Sequence, residues 1–208
     1  GHDARRSAVI AGLVTAMSHD EKLRATVRDT IGRPRLGEFT AVIAAARLLN
    51  RPITWTATRS EDLVALHGRA QIQFGELGLR GDGTFTGLRV RLLSDAVAYP
   101  GIGAALPNGT KMMSSGVYAI PAIQFDIISA ATNTPTIGAY RGAGRPEATA
   151  LIERLVDLAA IETGIDPLEI RRRNFIPPDA FPYNNEIIFQ DFAPLEYDSG
   201  NYEPILDK

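Results

Sequence analysis

The stretch Ala139-Tyr140-Arg141-Gly142-Ala143-Gly144-Arg145-Pro146-Glu147 sets Gly142 and Gly144 between two arginines, directly before a helical run from Ala148 to Thr163. Those residue types can hold an anion. Glycine lacks a Cβ, so the backbone at Gly142 and Gly144 can reach positive φ or let a ligand come close. A helix start presents N–H groups without an intrahelical acceptor, and its dipole favours negative charge. Pro146 suits the first helical position because its missing N–H would have no partner there, and Glu147 puts a carboxylate at the favourable end. Arg141 and Arg145 add guanidinium donors. The same residues also suit an ordinary strand-to-helix turn with both arginines in water, and the local pattern leaves both readings open.

The elements that would position this loop follow from periodicity. Gln71 to Leu79 and Thr84 to Ser94 alternate around Arg80-Gly81-Asp82-Gly83, a hairpin expected to turn Ile72, Phe74, Leu88, Val90 and Leu92 inward. Pro121 to Ile128 reads as a further strand leading through Thr134-Pro135 to the loop. Leu151, Leu155, Leu158 and Ala159 extend the helix after the loop until Gly164. Asp166-Pro167-Leu168-Glu169 then starts another, with Asp166 as N-cap and Glu169 reaching back as in a capping box. Arg171, Arg172 and Arg173 read as its cationic last turn.

Upstream, Ala4 to Met17 reads as a helix, Leu23 to Arg28 as a strand and Asp29 to Gly37 as a loop. Glu38 to Leu49 has the helical period, with Asn50 and Pro52 as its stop, and Ile53 to Thr58 is expected to be a strand. Arg59-Ser60-Glu61-Asp62 reads as a solvated helix start, and His67 has no partner at metal-ligand spacing. Tyr99 to Gly116 is glycine-rich without a clean period, as a segment wrapping a surface or meeting a partner would be. Together these give an α+β (mixed α/β) fold, a sheet with a hairpin packed by several helices. Residues 1–176 form the domain, and residues 177–208 an extended C-terminal arm.

Composition narrows the chemistry. The 208 residues are 45% apolar with a formal charge of -2, which gives no overall electrostatic reason to bind nucleic acid. With no cysteine, the chain supplies no disulfide, thiolate metal site, cysteine-bound iron–sulfur cluster or thiol nucleophile. Any redox chemistry must be borrowed. No apolar run reaches the roughly 20 residues that span a bilayer, so a cytoplasmic chain without a membrane partner is expected. Gly1-His2 reads as the remainder of a tag. The loop lacks the glycine-lysine-serine/threonine ending of a nucleotide phosphate loop.

The loop, with Thr132-Asn133-Thr134-Pro135-Thr136 before it, resembles the cofactor loop of molybdenum hydroxylase large subunits, the xanthine dehydrogenase, aldehyde oxidase and aerobic carbon monoxide dehydrogenase family. Ile165 to Pro178 and Tyr197-Asp198-Ser199-Gly200 are similar to segments that follow it there. The resemblance implies the first molybdopterin-binding domain, with Tyr140, Arg141, Gly142, Ala143, Gly144 and Gly32 near the molybdenum cofactor and the Arg141–Gly142 main chain beside a metal-bound oxygen. It implies partners: the rest of the large subunit, an iron–sulfur subunit and an FAD subunit. In this family carbon monoxide oxidisers carry cysteine where Gly142 stands, and animal-type purine oxidisers carry phenylalanine at the place of Ala143. The family's longer glycine run after Asp29 is reduced here to Gly32 and Gly37, and its base glutamate lies in a C-terminal region not present in these residues. The expectation is therefore a fragment or truncated homologue, inactive by itself. The alternative is a non-enzymatic module that keeps the fold to bind an anion or a partner.

Overall fold

The computed structural model describes residues 36–65, 68–98, 100–135, 137–189 and 192–207. The helix, strand and loop expected before residue 36, with Gly32, and also His67, lie outside the described residues. The chain divides into two units, one made of residues 1–68, 96–103 and 131–140, the other of 69–95, 104–130 and 141–208.

In the first unit, helix α1 spans Leu36–Leu49 and stops at Asn50, whose φ of 48° is the left-handed conformation that ends many helices. Helix α2 spans Arg59–Ala65. A capping box starts it: Glu61 N–H donates to Thr58 Oγ1 at 3.3 Å, and Thr58 N–H donates to Glu61 Oε2 at 3.0 Å. Ile53 to Thr58 between them is not a strand. A strand is defined by a ladder to a neighbour, and among the described residues none pairs with it. The β-branched residues there set local preference without supplying a partner.

In the second unit, β1 (Gln71–Leu79) pairs antiparallel with β2 (Phe85–Asp95), and β2 pairs parallel with β3 (Ile123–Ala130). The turn is tied by Arg80 N–H to the Thr84 carbonyl at 2.9 Å and by Thr84 N–H to Asp82 Oδ1 at 2.9 Å. Leu88, Val90 and Leu92 are buried as expected, but Ile72 and Phe74 are 60% and 58% exposed. Directly opposed residues share a face, and the register sets Val90 against Gly75 and Leu92 against Gln73. The inward face of β1 is therefore Gln71, Gln73, Gly75, Leu77 and Leu79.

The glycine-rich stretch that shows no clean period is in part helical between residues 102 and 112. Residues Ile102–Ala105 form a 3₁₀ turn and Leu106–Met112 form helix α3. Helix α4 (Arg145–Thr163) buries Ala148, Leu151, Ile152, Val156 and Ala159. Leu151 and Leu155 fill the space a side chain at Gly75 would need, with their methyls 2.9 and 2.8 Å from its notional Cβ. Gly164, at φ 69°, closes α4. Helix α5 (Pro167–Asn174) is capped by Asp166 Oδ1, which accepts from Leu168 N–H at 2.9 Å and Glu169 N–H at 3.1 Å. Glu169 does not reach back to the cap; it turns forward to accept from Arg173 Nε at 2.8 Å, an i,i+4 ion pair.

The three arginines at the end of α5 are committed to carboxylates. Arg171 bridges Glu153 and Asp157 at 2.8 and 2.9 Å, Arg172 pairs with Asp207, and Arg173 with Glu169. Tyr118 O–H also donates to Glu153 at 2.8 Å. Burial, and then the hydrogen bond to that carboxylate, push the Tyr118 phenol well above its ordinary 10.0. The C-terminal arm carries a hairpin of β4 (Tyr183–Ile188) and β5 (Pro194–Tyr197), then helix α6 (Glu203–Leu206). It lies on its own unit: Tyr197 O–H donates to the Gly116 carbonyl at 3.0 Å, and Phe175 meets Tyr202 at 5.8 Å between ring centres.

Buried Asn174 joins three of these pieces. Its side-chain oxygen accepts from Phe85 N–H at 2.7 Å, and its amide donates to the Gly83 and Ile170 carbonyls at 2.9 and 2.7 Å. Asn174→Leu leaves these backbone groups without their partner, so urea unfolding should show a loss of about 2–4 kcal/mol. Tyr118 gives a pH signature. Because folding raises its pKa, the stability it contributes is complete below pH about 10 and is lost as pH rises above that. Chemical denaturation across alkaline pH should show a steeper decline in the wild type than in Tyr118→Phe.

Candidate functional site

The loop from Arg141 to Gly144 sits on helix α3 with almost no space between the two backbones. A Cβ at Gly109 would lie 2.2 Å from the Ala143 carbonyl oxygen, and one at Gly144 would lie 2.5 Å from the Thr110 nitrogen. Neither position can hold a side chain in this arrangement. Gly142, Ala143 and Gly144 run at φ 109°, 46° and 98°. The glycines adopt this readily, whereas the alanine is held there at a cost of about 1 kcal/mol.

Gly144 is the N-cap of α4, which begins at Arg145, so Pro146 takes its second position. Gly144 offers no capping side chain; its carbonyl accepts from Ala148 N–H at 2.9 Å. Two more loop carbonyls are held as well. Arg141's accepts from Arg69 Nη2 at 3.2 Å, and Gly142's from Arg145 N–H at 3.1 Å and Arg145 Nη1 at 3.2 Å. Among the described residues, no hydrogen bond is donated by the N–H groups of Arg141, Gly142, Ala143 or Gly144.

A polar layer supports the loop from below. Gln73 Nε2 donates to the Glu147 carbonyl at 3.4 Å and to Gln71 Oε1 at 3.1 Å, and buried Thr110 donates to the same Gln71 oxygen at 3.0 Å. This ties β1, α3 and the first turn of α4 together. Arg69, just before β1, also pairs with Glu147 Oε2 at 3.3 Å.

The expected site residues separate as follows. Arg141, Gly142, Ala143 and Gly144 form one continuous turn, half-buried at Gly142 and Ala143 and exposed at Arg141. Arg145 uses one of its guanidinium nitrogens on the loop itself, donating to the Gly142 carbonyl. Tyr140 closes the first unit, where the residue is 69% exposed and its Cβ lies against Gly68. Gly32 lies outside the described residues. Arg69, Gly109, Gln71, Gln73 and Thr110 carry no motif. Arg69 and Gly109 could have been found from sequence only by knowing which distant segment they touch.

The donor set suits an anion: backbone N–H groups with no acceptor among the described residues, beside the exposed guanidinium of Arg141. It suits the oxygen-bearing part of a cofactor for the same reason. Among the described residues, no group of His, Asp or Glu is placed to hold a metal ion directly. A surface cleft bordered by Arg80, Thr86, Pro121 and Tyr183 lies at the hairpin end of the sheet and shares no residue with the loop.

The close approach is testable by adding one carbon. Gly109→Ala should displace the loop from α3 and cost about 1–3 kcal/mol, read by thermal unfolding and by faster amide exchange at residues 141–144. Gly81→Ala is the control, because a Cβ at Gly81 meets nothing within 4 Å.

A family model described as a molybdopterin cofactor-binding domain matches residues 35–175. The chain is 35% identical over 175 residues to the carbon monoxide dehydrogenase large chain of Hydrogenophaga pseudoflava, covering 82% of this chain and 21% of that one. It is 33% identical over 161 residues to the 6-hydroxypseudooxynicotine dehydrogenase complex subunit gamma of Paenarthrobacter nicotinovorans, covering 76% of this chain and 20% of that one. Quinoline 2-oxidoreductase from Pseudomonas putida 86 superposes with a TM-score of 0.73 at 32% identity, over 82% of this chain and 22% of that one. The chain thus spans about a fifth of the length of the relatives it matches. With the family match covering more than half its residues and including the glycine loop, the chain belongs to the molybdopterin cofactor-binding domain family of molybdenum hydroxylase large subunits.

Proposed function

We propose that the chain supplies a cofactor-contacting loop to a molybdopterin-dependent hydroxylase or dehydrogenase, and that it does not turn over substrate alone. One observation supports this most: the carbonyls of Arg141 and Gly142 are held by arginines, whereas the N–H groups from Arg141 to Gly144 have no acceptor among the described residues. Preorganised amides of this kind stabilise negative charge without reorganising when it develops. Gly142 and Ala143 would donate to an oxygen of the cofactor, and Arg141 would add positive charge at its rim. Tyr140 and Gly32 are proposed as further cofactor contacts. When bound, the molybdenum cofactor supplies the oxidative hydroxylation chemistry. The protein's share is to orient the group and to place donors beside it.

In this reading residues 1–176 are part of the binding domain and residues 177–208 an arm. The partners are the rest of the large subunit, an iron–sulfur subunit and an FAD subunit, in the cytoplasm. No described helix is long and apolar enough to cross a membrane. The relatives extend well beyond the matched region, so the remaining cofactor contacts and the catalytic base are assigned to polypeptide outside these residues. Purified chain should therefore contain little molybdenum by elemental analysis and show no dye-linked hydroxylation. Full molybdenum occupancy with turnover would overturn the proposal.

A second reading, an anion- or partner-binding module, draws on the same donors, since free N–H groups serve a phosphate as well as a cofactor oxygen. Calorimetric titration separates the two. Binding of pterin ligands in preference to inorganic phosphate and nucleotides supports the first, and the reverse order supports the second.

A further inference from the structure

We infer that Arg69 is the positioning residue of the loop, fixing the direction of the Gly142 N–H and neutralising the carboxylate that would otherwise repel an anion there. The inference rests on the reading of this loop as the cofactor-contacting element. Its geometry stands on two contacts and one burial. Arg69 Nη2 donates to the Arg141 carbonyl at 3.2 Å, Arg69 Nη1 donates to Glu147 Oε2 at 3.3 Å, and the Glu147 side chain is only 13% exposed. One planar guanidinium therefore ties both ends of the loop, the residue that enters it and the first turn of the helix that leaves it.

The consequence for Gly142 follows from peptide geometry. The Arg141–Gly142 bond is trans, since the cis peptide recorded among the described residues is Phe181–Pro182. In a trans peptide the C=O and the next N–H point in opposite directions. Holding the Arg141 oxygen on the Arg69 side therefore turns the Gly142 N–H to the other side. At φ 109° Gly142 has no side chain to resist rotation of this peptide, so the restraint must come from outside the loop.

The second role is electrostatic. Glu147 lies in the first turn of α4, where a carboxylate is favourable to the helix but competes with any anionic ligand for the same positive end. Pairing with Arg69 cancels that charge. Lysine would keep the charge but not the fork, and so could not hold the carbonyl and the carboxylate in one plane.

The test uses the full chain, Arg69→Met and Arg69→Lys, followed by amide NMR with molybdate as the oxyanion probe. Without molybdate, both variants should keep wild-type signals for β1 to β3 while the Gly142 and Ala143 amides shift and become more mobile. With molybdate, the saturable shift at Gly142 should weaken about tenfold in Arg69→Met, the size expected for loss of a charged hydrogen bond, and recover only partly in Arg69→Lys. Wild-type loop signals and molybdate affinity in Arg69→Met would overturn the inference. So would full recovery in Arg69→Lys, which would reduce the role to charge. If Arg69→Met does not fold, the Arg69→Lys spectra decide. A wild-type loop that ignores molybdate sinks the cofactor reading, while the molybdate-free spectra still decide whether Arg69 sets the loop.

Discussion

The second unit depends on two backbones meeting where no side chain fits. Helix α3 at Gly109 and the loop at Gly144 lie so close that a single added carbon would come within 2.2 to 2.5 Å of main-chain atoms. Contact of this kind is not adjustable in small steps, because backbone cannot swing aside as the end of a long side chain can. It fixes the height of the loop over α3, and through Pro146 it sets where α4 begins. The helix then lies across Gly75 with Leu151 and Leu155, and the sheet follows. A site made from main-chain N–H groups needs this rigidity, since its donors have no rotamers with which to correct a misplacement.

The sheet beneath has two ends with different chemistry. At the hairpin end, Phe85, Tyr118 and Ile170 belong to the apolar core, and the Asn174 amide is fully engaged with backbone. At the loop end, Gln71 and Gln73 face inward and carry hydrogen bonds from Thr110 to the Glu147 carbonyl. A buried polar layer is tolerated only when its members find partners, and no buried side-chain nitrogen or oxygen among the described residues lacks one. The glutamines thus link β1 and α3 to the first turn of α4 through side-chain hydrogen bonds that an apolar face could not make.

That division explains what the sequence made legible. The hairpin was readable because alternation and a glycine-rich turn are local signals, as were the Asp166 cap and the Gly164 stop. The sidedness of β1 was not. Its large apolar residues, Ile72 and Phe74, point outward, and its inward residues are glutamines and a glycine, so hydrophobicity alone selects the wrong face. Only the pairing of Gly75 with Val90 settles it, and pairing is a long-range fact. Ile53 to Thr58 failed in the opposite sense: local strand preference is strong there, but a ladder needs a second chain segment. The loop itself was found by composition and family resemblance. Its supports, Gly109 and Arg69, lie 35 and 72 residues from Gly144 and Arg141, and no spacing rule connects them.

The residue choices inside the loop carry a further constraint. At Gly142 a Cβ would meet Pro146 Cδ at 2.6 Å, and the φ of 109° is one that side-chain-bearing residues rarely adopt. A relative with a side chain here must run its loop along another path or move the proline. Position 143 differs: alanine already occupies it at φ 46°, and the left-handed region penalises a β-branched residue more than alanine. The surface offered at Gly142 is therefore bare backbone, of a kind that suits a charged oxygen and carries no side chain to select a ligand by shape. Selection of one ligand over another by shape would need side chains brought to this turn from elsewhere, since the turn itself presents main chain.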